Sequence, residues 1–265
     1  MGFVTPIYLG GAVAIPYPFL DHPGPIAFAH RGGSAEAPEN SWAGFEYAIG
    51  LGYRYMETDI RATADGVAVV LHDPTLDRVG SHPGVLSKMT WAEVRESKLE
   101  DGREAPLLEE LLGAWPDVRW NIDVKTPEAI APVVEALRRT VSVDRVLIAS
   151  FSGQRSARAR AALGPTLATG AGRWTVAALV AAKVVAKVPV RSDAVAAQVP
   201  VRRWGVPIVD EAFVRVCHRA GLAVHVWTID EPAEMERLLD LGVDGIMTDR
   251  PSALKQVLER RGQWS

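Results

Sequence analysis

The sequence predicts an α/β fold built on a mostly parallel sheet. Short runs rich in Val, Ile, Leu and Ala alternate along the 265 residues with amphipathic segments of helix length. Most of the short runs lack an apolar–polar alternation, which is typical of strands that are covered on both faces. Hydrophobic residues make up 48% and charged residues 23% of the chain, a balance that indicates a folded core rather than disorder.

Each predicted strand or helix is an apolar run or an amphipathic segment bounded by turn residues. Gly50, Gly164, Gly221 and Gly242 stand where helices should end, because glycine tolerates the left-handed conformation found there. Asn40-Ser41 can cap the first helix. The predicted strands are residues 26–30, 53–60, 67–72, 118–124, 145–150, 165–169, 193–199, 222–228 and 243–248. The predicted helices are residues 41–50, 107–115, 127–140, 153–163, 175–187, 210–220 and 231–241.

Two places interrupt this alternation. Only six residues separate the second and third predicted strands, which is too short for a crossover helix. Asp65-Gly66 is a strong tight-turn signal, so we expect a hairpin or a very short connection there. Residues 73–103 contain one short helical pattern, 90–97, and are predicted to form an inserted cap. A hairpin strand or one false assignment would reduce the nine strand candidates to the eight of a closed parallel barrel.

A closed barrel and a doubly wound open sheet both agree with this pattern. No Gly-x-Gly-x-x-Gly turn follows the first strand, so dinucleotide binding has no support. Prolines interrupt residues 1–24, which contain no Lys or Arg, so we expect a lead-in segment there rather than a secretory signal. Residues 25–265 are expected to form one domain that includes the cap.

Composition argues against several classes of protein. The net charge of −3 argues against a nucleic-acid binder. The lone Cys217 rules out an internal disulfide framework and a cysteine-based zinc site, and it fits a reducing compartment, so we expect a cytoplasmic location. No segment reaches the roughly 18 uncharged apolar residues that a membrane span requires. The oligomeric state cannot be predicted from these data.

Polar residues repeatedly close the predicted strands, and all of them stand at the same end. In a barrel of parallel strands this end is one rim, where active sites are built. His225 lies inside a strand instead, and we expect it to face the barrel interior or the helix layer. At the strand ends stand His30, Arg31, Glu57, Asp59, His72, Asp123, Lys125, Trp227 and Asp249.

The carboxylates among these residues predict a cation site. Glu57 and Asp59 lie two positions apart and so face one side of a sheet, and Asp123 ends another strand. Converging carboxylates repel each other, and a hard divalent cation would remove that repulsion. Ligation by oxygen alone favours Mg²⁺ or Ca²⁺ over Zn²⁺. The alternative is that Glu57 and Asp59 are solvated rim charges or pair with Arg54 and Arg61.

Two histidines and two cations complete the candidate chemistry. His30 and His72 can take and give protons near neutral pH. Arg31 suits the forked recognition of a phosphoryl group, and Lys125 can act as a point charge. Gly32-Gly33 would let the backbone approach a ligand, or it simply forms a turn. This combination indicates phosphate-ester hydrolysis more strongly than glycoside hydrolysis, which two carboxylates alone would suggest.

These residues resemble the glycerophosphodiester phosphodiesterase family. The matching stretches occur in family order over nearly the whole chain, and their combination is highly specific. The resemblance implies a TIM-type barrel with a small insertion after the third strand, and hydrolysis of glycerophosphodiesters to sn-glycerol 3-phosphate and an alcohol. The stretches are residues 29–33 (AHRGG), 38–41 (PENS), 57–60 (ETDI), 65–66 (DG), 70–78 (VLHDPTLDR), 121–125 (NIDVK), 226–229 (VWTI) and 244–249 (DGIMTD).

The resemblance also implies a role for each site residue. One Mg²⁺ or Ca²⁺ would be held by Glu57, Asp59 and Asp123. His30 and His72 would be the general acid and base, Arg31 and Lys125 would hold the phosphate, and Trp227 would line the glycerol side. Glu39 would support the site indirectly, through residues that contact the substrate or the cation. The family usually has Glu where this chain has Asp123. Because Asp is one methylene shorter than Glu, Asp123 would contact the cation through water or by pulling its strand inward.

Several mechanistic questions stay open at this stage. The sequence does not assign acid and base between His30 and His72, and the attacking oxygen is either water or the glycerol 2-hydroxyl of the substrate. One alternative is a relative that acts on lipids at a membrane surface, with the apolar segment 174–190 touching lipid. That segment is otherwise an outer-barrel helix. A second alternative is a barrel that binds phosphodiesters without cleaving them.

Overall fold

Eight parallel strands form a nearly closed barrel, with helices outside it, in the part of the chain that the computed structural model describes, residues 17–183 and 190–265. The strands are β1 (Ile26–His30), β2 (Tyr55–Ala62), β3 (Ala68–Val70), β4 (Arg119–Val124), β5 (Val146–Ala149), β6 (Ala168–Thr169), β7 (Ala196–Pro200), β8 (Arg202–Arg203), β9 (Val206–Pro207), β10 (Ala223–Trp227) and β11 (Gly245–Thr248). The helices are α1 (Trp42–Gly50), α2 (Trp91–Val94), α3 (Leu108–Ala114), α4 (Ile130–Arg139), α5 (Gly153–Leu163), α6 (Arg173–Ala182), α7 (Glu211–Arg219), α8 (Pro232–Asp240) and α9 (Pro251–Arg260). Around the sheet the parallel strands follow the order β6–β5–β4–β2–β1–β11–β10–β7.

Hydrogen bonds between β6 and β7 bring the two ends of this sheet together. The Val195 amide donates to the Thr169 carbonyl oxygen at 2.8 Å, and the Ala171 amide donates to the Ala196 carbonyl oxygen at 2.8 Å. Gly170 forms a single parallel bridge with Ala196. The predicted TIM-type barrel is therefore confirmed, and the doubly wound open sheet is wrong.

The strand β3 is a hairpin strand outside the barrel, as the Asp65-Gly66 turn predicts. It pairs antiparallel with the end of β2, and Val70 lies opposite Ile60. Gly66 has a φ of 80°, a conformation that glycine adopts without strain. The third predicted strand, residues 67–72, is therefore the hairpin strand β3. It accounts for the one strand candidate in excess of eight.

The barrel interior changes from apolar to polar along the strand direction. Phe28 and Tyr55 are buried near the amino ends of the strands. Beyond these aromatic residues lies a polar layer of Gln198, Asn121 and His225. The Gln198 Nε2 lies 3.0 Å from the Asn121 Oδ1 and 3.3 Å from the His225 Nδ1. His225 is fully buried in this layer. It was predicted to face either the barrel interior or the helix layer, and the barrel interior is confirmed.

A short 3₁₀ helix, Pro18–Leu20, covers the amino-terminal end of the barrel. The ring of Phe19 lies 6.3 Å from the ring of Phe28 and 5.4 Å from the ring of Tyr55. The Tyr55 hydroxyl donates to the Phe19 carbonyl oxygen at 2.9 Å. Of the predicted lead-in over residues 1–24, the part up to residue 16 lies outside the described residues.

The segment 73–103 packs over its own small apolar cluster. Leu76, Leu86, Val94 and Leu99 are buried together, and Leu71 joins them from the end of the hairpin. The helical pattern predicted over 90–97 is only the four-residue α2. The apolar cluster of this insertion therefore packs on the hairpin, and its end also contacts α1, because the Ala43 amide donates to the Asp101 Oδ2 at 3.2 Å.

Besides short 3₁₀ helices such as Pro18–Leu20, the α-helix α9 and the β8–β9 hairpin were not predicted. Leu254, Val257 and Leu258 of α9 are buried at the helical spacing i, i+3, i+4. The predicted helix over 175–187 is α6 in the described residues, and its buried Leu179 and Ala182 make it an outer-barrel helix; residues 184–189 lie outside the description. In the described ranges, no helix is both long and apolar enough to cross a membrane.

Replacing His225 by Gln is expected to remove a pH-dependent loss of stability. Burial lowers the pKa of His225 to about 4 from its ordinary 6.5. As the pH falls through this window, the unfolded chain binds a proton that the folded chain does not, so the free energy of unfolding falls. Between about pH 7.5 and 5, wild type should lose about 2 kcal/mol more than the His225→Gln variant. Urea unfolding at each pH measures the difference, and parallel profiles for the two proteins would contradict it.

Candidate functional site

A cavity of about 410 Å³ opens at the carboxyl ends of the barrel strands. One wall carries the charged side chains of β1, β2 and β4. The opposite wall is more apolar and comes from the ends of β5, β6, β7 and β10 and the loops that follow them. All eight residues predicted for the site line this cavity: His30, Arg31, Glu57, Asp59, His72, Asp123, Lys125 and Trp227.

His30 is held between two carboxylates at the end of β1. Its Nδ1 lies 2.6 Å from the Asp249 Oδ1, and its Nε2 lies 3.7 Å from the Glu57 Oε2. Burial lowers the pKa of His30, but the charge of Glu57 and the bond to Asp249 outweigh burial, so its pKa is raised. Asp249 therefore orients the ring and favours its protonated form.

His72 reaches the cavity by a different path from the one that the sequence argument assumes. The strand β2 continues past the rim, and β3 returns antiparallel to it, so His72 does not close a parallel strand. The Leu71 amide donates to the Asp59 carbonyl oxygen at 2.9 Å, which places His72 back at the level of the rim. The assumption that all the polar residues end strands of one direction is wrong for His72, although its predicted location in the site is correct.

An aspartate also holds the His72 ring. The His72 Nδ1 lies 2.7 Å from the Asp73 Oδ1, and the Arg78 Nε donates to the Asp73 Oδ2 at 2.7 Å. The bonds from Arg78 and then His72 outweigh burial and lower the pKa of Asp73 to about 2. Arg78 also makes two bonds to Glu39, at 2.7 and 2.8 Å, so Glu39 supports the site indirectly, as predicted. In both histidines an aspartate engages the Nδ1. The Nε2 of His72 makes no hydrogen bond within the described residues, and the Nε2 of His30 lies 3.7 Å from the Glu57 Oε2.

Asp59 is the most enclosed carboxylate of the site, with 1% of its surface exposed. The Lys125 Nζ lies 2.6 Å from the Asp59 Oδ1 and 2.6 Å from the Asp123 Oδ2. The Arg31 Nε lies 3.0 Å from the Asp59 Oδ2, although its N–H does not point at that oxygen, so the contact is an ion pair rather than a hydrogen bond. Asp59 and Asp123 are neighbours in the register of β2 and β4.

Burial and charge separate the pKa values of the two carboxylates on β2. Burial, and then the charge of Asp59, raise the pKa of Glu57 to about 7. Burial also raises the pKa of Asp59, but the charges of Lys125 and Arg31 outweigh it and hold that pKa below its ordinary value. The alternative pairing with Arg61 does not occur, because the Arg61 Nε donates to the His72 carbonyl oxygen at 2.7 Å instead.

The donor set of this wall fits a hard divalent cation. Glu57, Asp59 and Asp123 offer only oxygen atoms, which Mg²⁺ and Ca²⁺ prefer. The Asp123 Oδ1 is buried and has no hydrogen-bond partner within the described residues. Over the same ranges, no group of three or more His, Cys, Asp or Glu side chains is already arranged as a metal site, and the ammonium of Lys125 bridges two of the carboxylates. The fit therefore rests on donor chemistry and on the unpaired Asp123 oxygen.

Two residues of the site, Asp249 and Asn40, were seen in the sequence but were assigned no role in the site. Asp249 stands at the end of the last strand, and its position there was the available signal. Asn40 was expected only as a possible helix cap, but Ser41 caps α1 by accepting from the Gly44 amide at 3.0 Å. The buried Asn40 instead donates to the Asp59 Oδ2 at 3.0 Å and accepts from the Thr58 hydroxyl at 2.8 Å. No sequence pattern indicates this role.

The two glycines after His30 serve packing rather than ligand approach. A Cβ on Gly32 would lie 2.6 Å from a backbone carbon of Gly44, and one on Gly33 would lie 2.6 Å from the Pro251 ring. Both glycines have a positive φ, of 84° and 98°. The turn therefore lets α1 and α9 sit close to the end of β1.

The apolar wall lies opposite the charged residues. Trp227 lines it, and the Phe151 ring meets the Trp227 ring edge-on with centroids 6.1 Å apart. Val176 and Ile208 extend this wall. A small polar ester can thus contact cations on one side and aromatic carbon on the other.

The chain is similar to known proteins over nearly its whole length. The model of the glycerophosphoryl diester phosphodiesterase family matches residues 30–253. A Mycobacterium tuberculosis protein named "Probable glycerophosphodiester phosphodiesterase 2" is 45% identical over 265 residues, which cover 96% of this chain and 98% of that protein. A glycerophosphodiester phosphodiesterase of Caldanaerobacter subterraneus is 31% identical and matches 89% of this chain and 99% of its own length.

Solved structures share the barrel. A glycerophosphodiester phosphodiesterase from Agrobacterium tumefaciens superposes with a TM-score of 0.72 at 25% identity, covering 89% of this chain and 99% of that one. A phosphodiesterase of Oleispira antarctica, in complex with the product sn-glycerol-3-phosphate, gives a TM-score of 0.74 at 23% identity and covers 89% and 97% of the two chains. The chain therefore belongs to the glycerophosphoryl diester phosphodiesterase family and is an enzyme of the phosphoric diester hydrolase class.

Proposed function

We propose that the enzyme hydrolyses glycerophosphodiesters to sn-glycerol 3-phosphate and an alcohol, with His30 and His72 as the proton-transfer groups. The observation that carries this proposal is the pair of imidazoles, each held at Nδ1 by an aspartate and facing one cavity with Arg31 and Lys125. The family supports the reaction class, and the product in the Oleispira antarctica structure is the one expected here.

The two histidines divide the proton transfers between them. One removes the proton from the attacking oxygen, and the other protonates the leaving alcohol. Asp249 and Asp73 hold the rings so that each Nε2 is available to the substrate. The attacking oxygen is water or the 2-hydroxyl of the substrate glycerol, which an enzyme can position because it is already bound.

Arg31 and Lys125 bind the phosphoryl oxygens in this proposal. Both cations already neutralise carboxylates, since Asp59 contacts Arg31 and Lys125, and Lys125 also contacts Asp123. The charged wall therefore carries three carboxylates against two cations. A phosphodiester anion needs further positive charge to bind there.

A single Mg²⁺ or Ca²⁺ would supply that charge, with Glu57, Asp59 and Asp123 as the residues that hold it. When bound, it would stabilise the negative charge that develops on the phosphoryl oxygens. The unpaired Oδ1 of Asp123 supports this assignment, even though the aspartate is shorter than the glutamate usual in the family. Trp227 would then contact the glycerol from the apolar wall.

The cytoplasmic location stays a prediction, supported by the single buried Cys217. The non-catalytic alternative predicts tight binding of a phosphodiester without product release. The lipid-directed alternative predicts turnover of lysophospholipids. Turnover assays with glycerophosphocholine and with a lysophospholipid separate these cases.

Replacing either His30 or His72 by Ala is expected to lower kcat at least about a hundredfold, because each variant loses one proton-transfer group. Release of glycerol 3-phosphate from glycerophosphocholine measures the change. His218→Ala is the matched control, since His218 also pairs with an aspartate, Asp244 at 2.7 Å, but does not line the cavity. Near-normal turnover by either cavity variant would remove that histidine from the mechanism.

Replacing Asp249 by Asn is expected to lower kcat about a hundredfold with little change in KM. The amide can still contact the His30 ring, but it no longer favours the tautomer and charge that proton transfer needs. Asp244→Asn is the control, because it alters a similar aspartate–histidine pair outside the cavity. Equal effects of the two substitutions would show that Asp249 acts only on stability.

Removing divalent cations with EDTA is expected to abolish turnover, and Mg²⁺ or Ca²⁺ should restore it. Added cation should also raise Tm by several degrees at saturation, because it binds the folded chain at Glu57, Asp59 and Asp123. Asp123→Ala should reduce this rise in Tm. Full activity after chelation, together with a Tm that does not respond to either ion, would refute the cation site.

A further inference from the structure

Large apolar side chains are exposed mainly at the mouth of the cavity. Seven large hydrophobic residues are exposed in the described ranges, and four of them follow the ends of β5, β6 and β7. Phe151 is 53% exposed, Trp174 78% and Trp204 89%, and Val206 accompanies them. Because the other three are scattered elsewhere, this concentration calls for an explanation other than chance exposure.

Trp204 buries almost none of its surface in the fold. Trp204 and Gly205 form the tip of the β8–β9 hairpin, and both have a positive φ, of 50° and 79°. A bulky residue is disfavoured in this conformation, and small or polar residues are the usual choice at such turns. Val141 is also exposed with a positive φ, of 51°, but it stands alone, whereas Trp204 lies beside other exposed aromatic side chains and arginines at the cavity mouth.

Arginines accompany both tryptophans. The Arg203 guanidinium lies 4.5 Å from the Trp204 ring centroid, and the Arg173 guanidinium lies 5.6 Å from the Trp174 ring centroid. Neither these arginines nor Arg202 has a carboxylate within 4.0 Å among the described residues. The cationic groups are therefore free to meet an external anion.

The acids near this surface are already engaged. Glu234 pairs with Arg237 at 2.7 Å, and this hydrogen bond is the main cause that lowers the pKa of Glu234, with a smaller contribution from the charge of Arg202. The whole protein has a net charge of −3, so the positive charge at the mouth is local. Lys183, which follows the last residue of α6, pairs with Asp210 at 2.6 Å and does not contribute.

The loops that carry Phe151 and Arg173 are packed against each other and border the cavity. The Arg173 amide donates to the Phe151 carbonyl oxygen at 3.2 Å. A Cβ on Gly172 would lie 2.7 Å from the Gly153 backbone nitrogen, so the two loops are packed closely. Phe151, Arg173 and Arg203 also line the cavity, which makes the exposed surface continuous with the site.

We propose that this surface, the aromatic–arginine rim (Phe151, Arg173, Trp174, Arg202, Arg203 and Trp204), docks the enzyme onto an anionic lipid bilayer. Tryptophan prefers the boundary between headgroups and acyl chains, since its ring is apolar and its N–H is polar. Arginines beside it bind lipid phosphates and respond to the negative surface potential. Docking in this orientation turns the cavity mouth toward the membrane.

Flotation of the full chain with vesicles tests the docking. Wild type should bind vesicles of phosphatidylcholine mixed with phosphatidylglycerol, bind phosphatidylcholine alone much more weakly, and dissociate as salt is raised. The double variant Trp174→Ser, Trp204→Ser should bind anionic vesicles at least about tenfold more weakly. Arg202→Gln should bind about fivefold more weakly.

Val141→Ser is the control, because Val141 is 88% exposed but does not lie on the rim or line the cavity. Thermal unfolding of each variant should match wild type, since the substituted side chains are exposed. Equal binding of neutral and anionic vesicles, no binding of either, or unchanged binding by the tryptophan variant would overturn the proposal. The assay involves no turnover, so its result is independent of the proposed reaction.

Discussion

The ion pairs of Asp59 with Lys125 and Arg31 hold the charged end of this barrel together. Asp59 is almost completely buried, and a buried carboxylate without a partner would be costly. Lys125 reaches it from the neighbouring strand, Arg31 from the turn after β1, and Asn40 from the start of α1. One anion therefore ties three separate parts of the chain into a common geometry. Glu57 lies beside this cluster without a comparable partner, and its pKa is raised accordingly.

The histidines are oriented by aspartates of very different origin. His30 uses Asp249, which is 219 residues away in the chain and adjacent only because β1 pairs with β11. His72 uses its own neighbour, Asp73, and Arg78 secures that aspartate from within the insertion. The barrel thus provides one orienting group, and a local loop provides the other. Both arrangements engage the Nδ1 of a ring that lines the cavity.

Much of the site could be predicted because strand periodicity determines it. Glu57 and Asp59 alternate to one side of β2, and Asp123 follows the same rule on β4, so their convergence needed only the assumption of a parallel barrel. Asn40 could not be predicted, because its role depends on a left-handed backbone conformation that turns its side chain toward Asp59. The direction of the strand before His72 is likewise a tertiary property. The missed helix α9 had a readable pattern, whereas the two-residue strands of the β8–β9 hairpin had none.

The end of β2 extends past the barrel rim and pairs with β3, and this extension has a consequence for how the site is built. Eight parallel strands complete the cylinder through the contacts of β6 with β7, and none of those contacts involves β3. His72 therefore arrives on an appendage that the cylinder does not need for closure. The strand is still part of the packing, because Ala68 and Val70 are buried in the main apolar core. Closure of the cylinder and delivery of His72 to the site are thus tasks of different strands, although one core stabilises both.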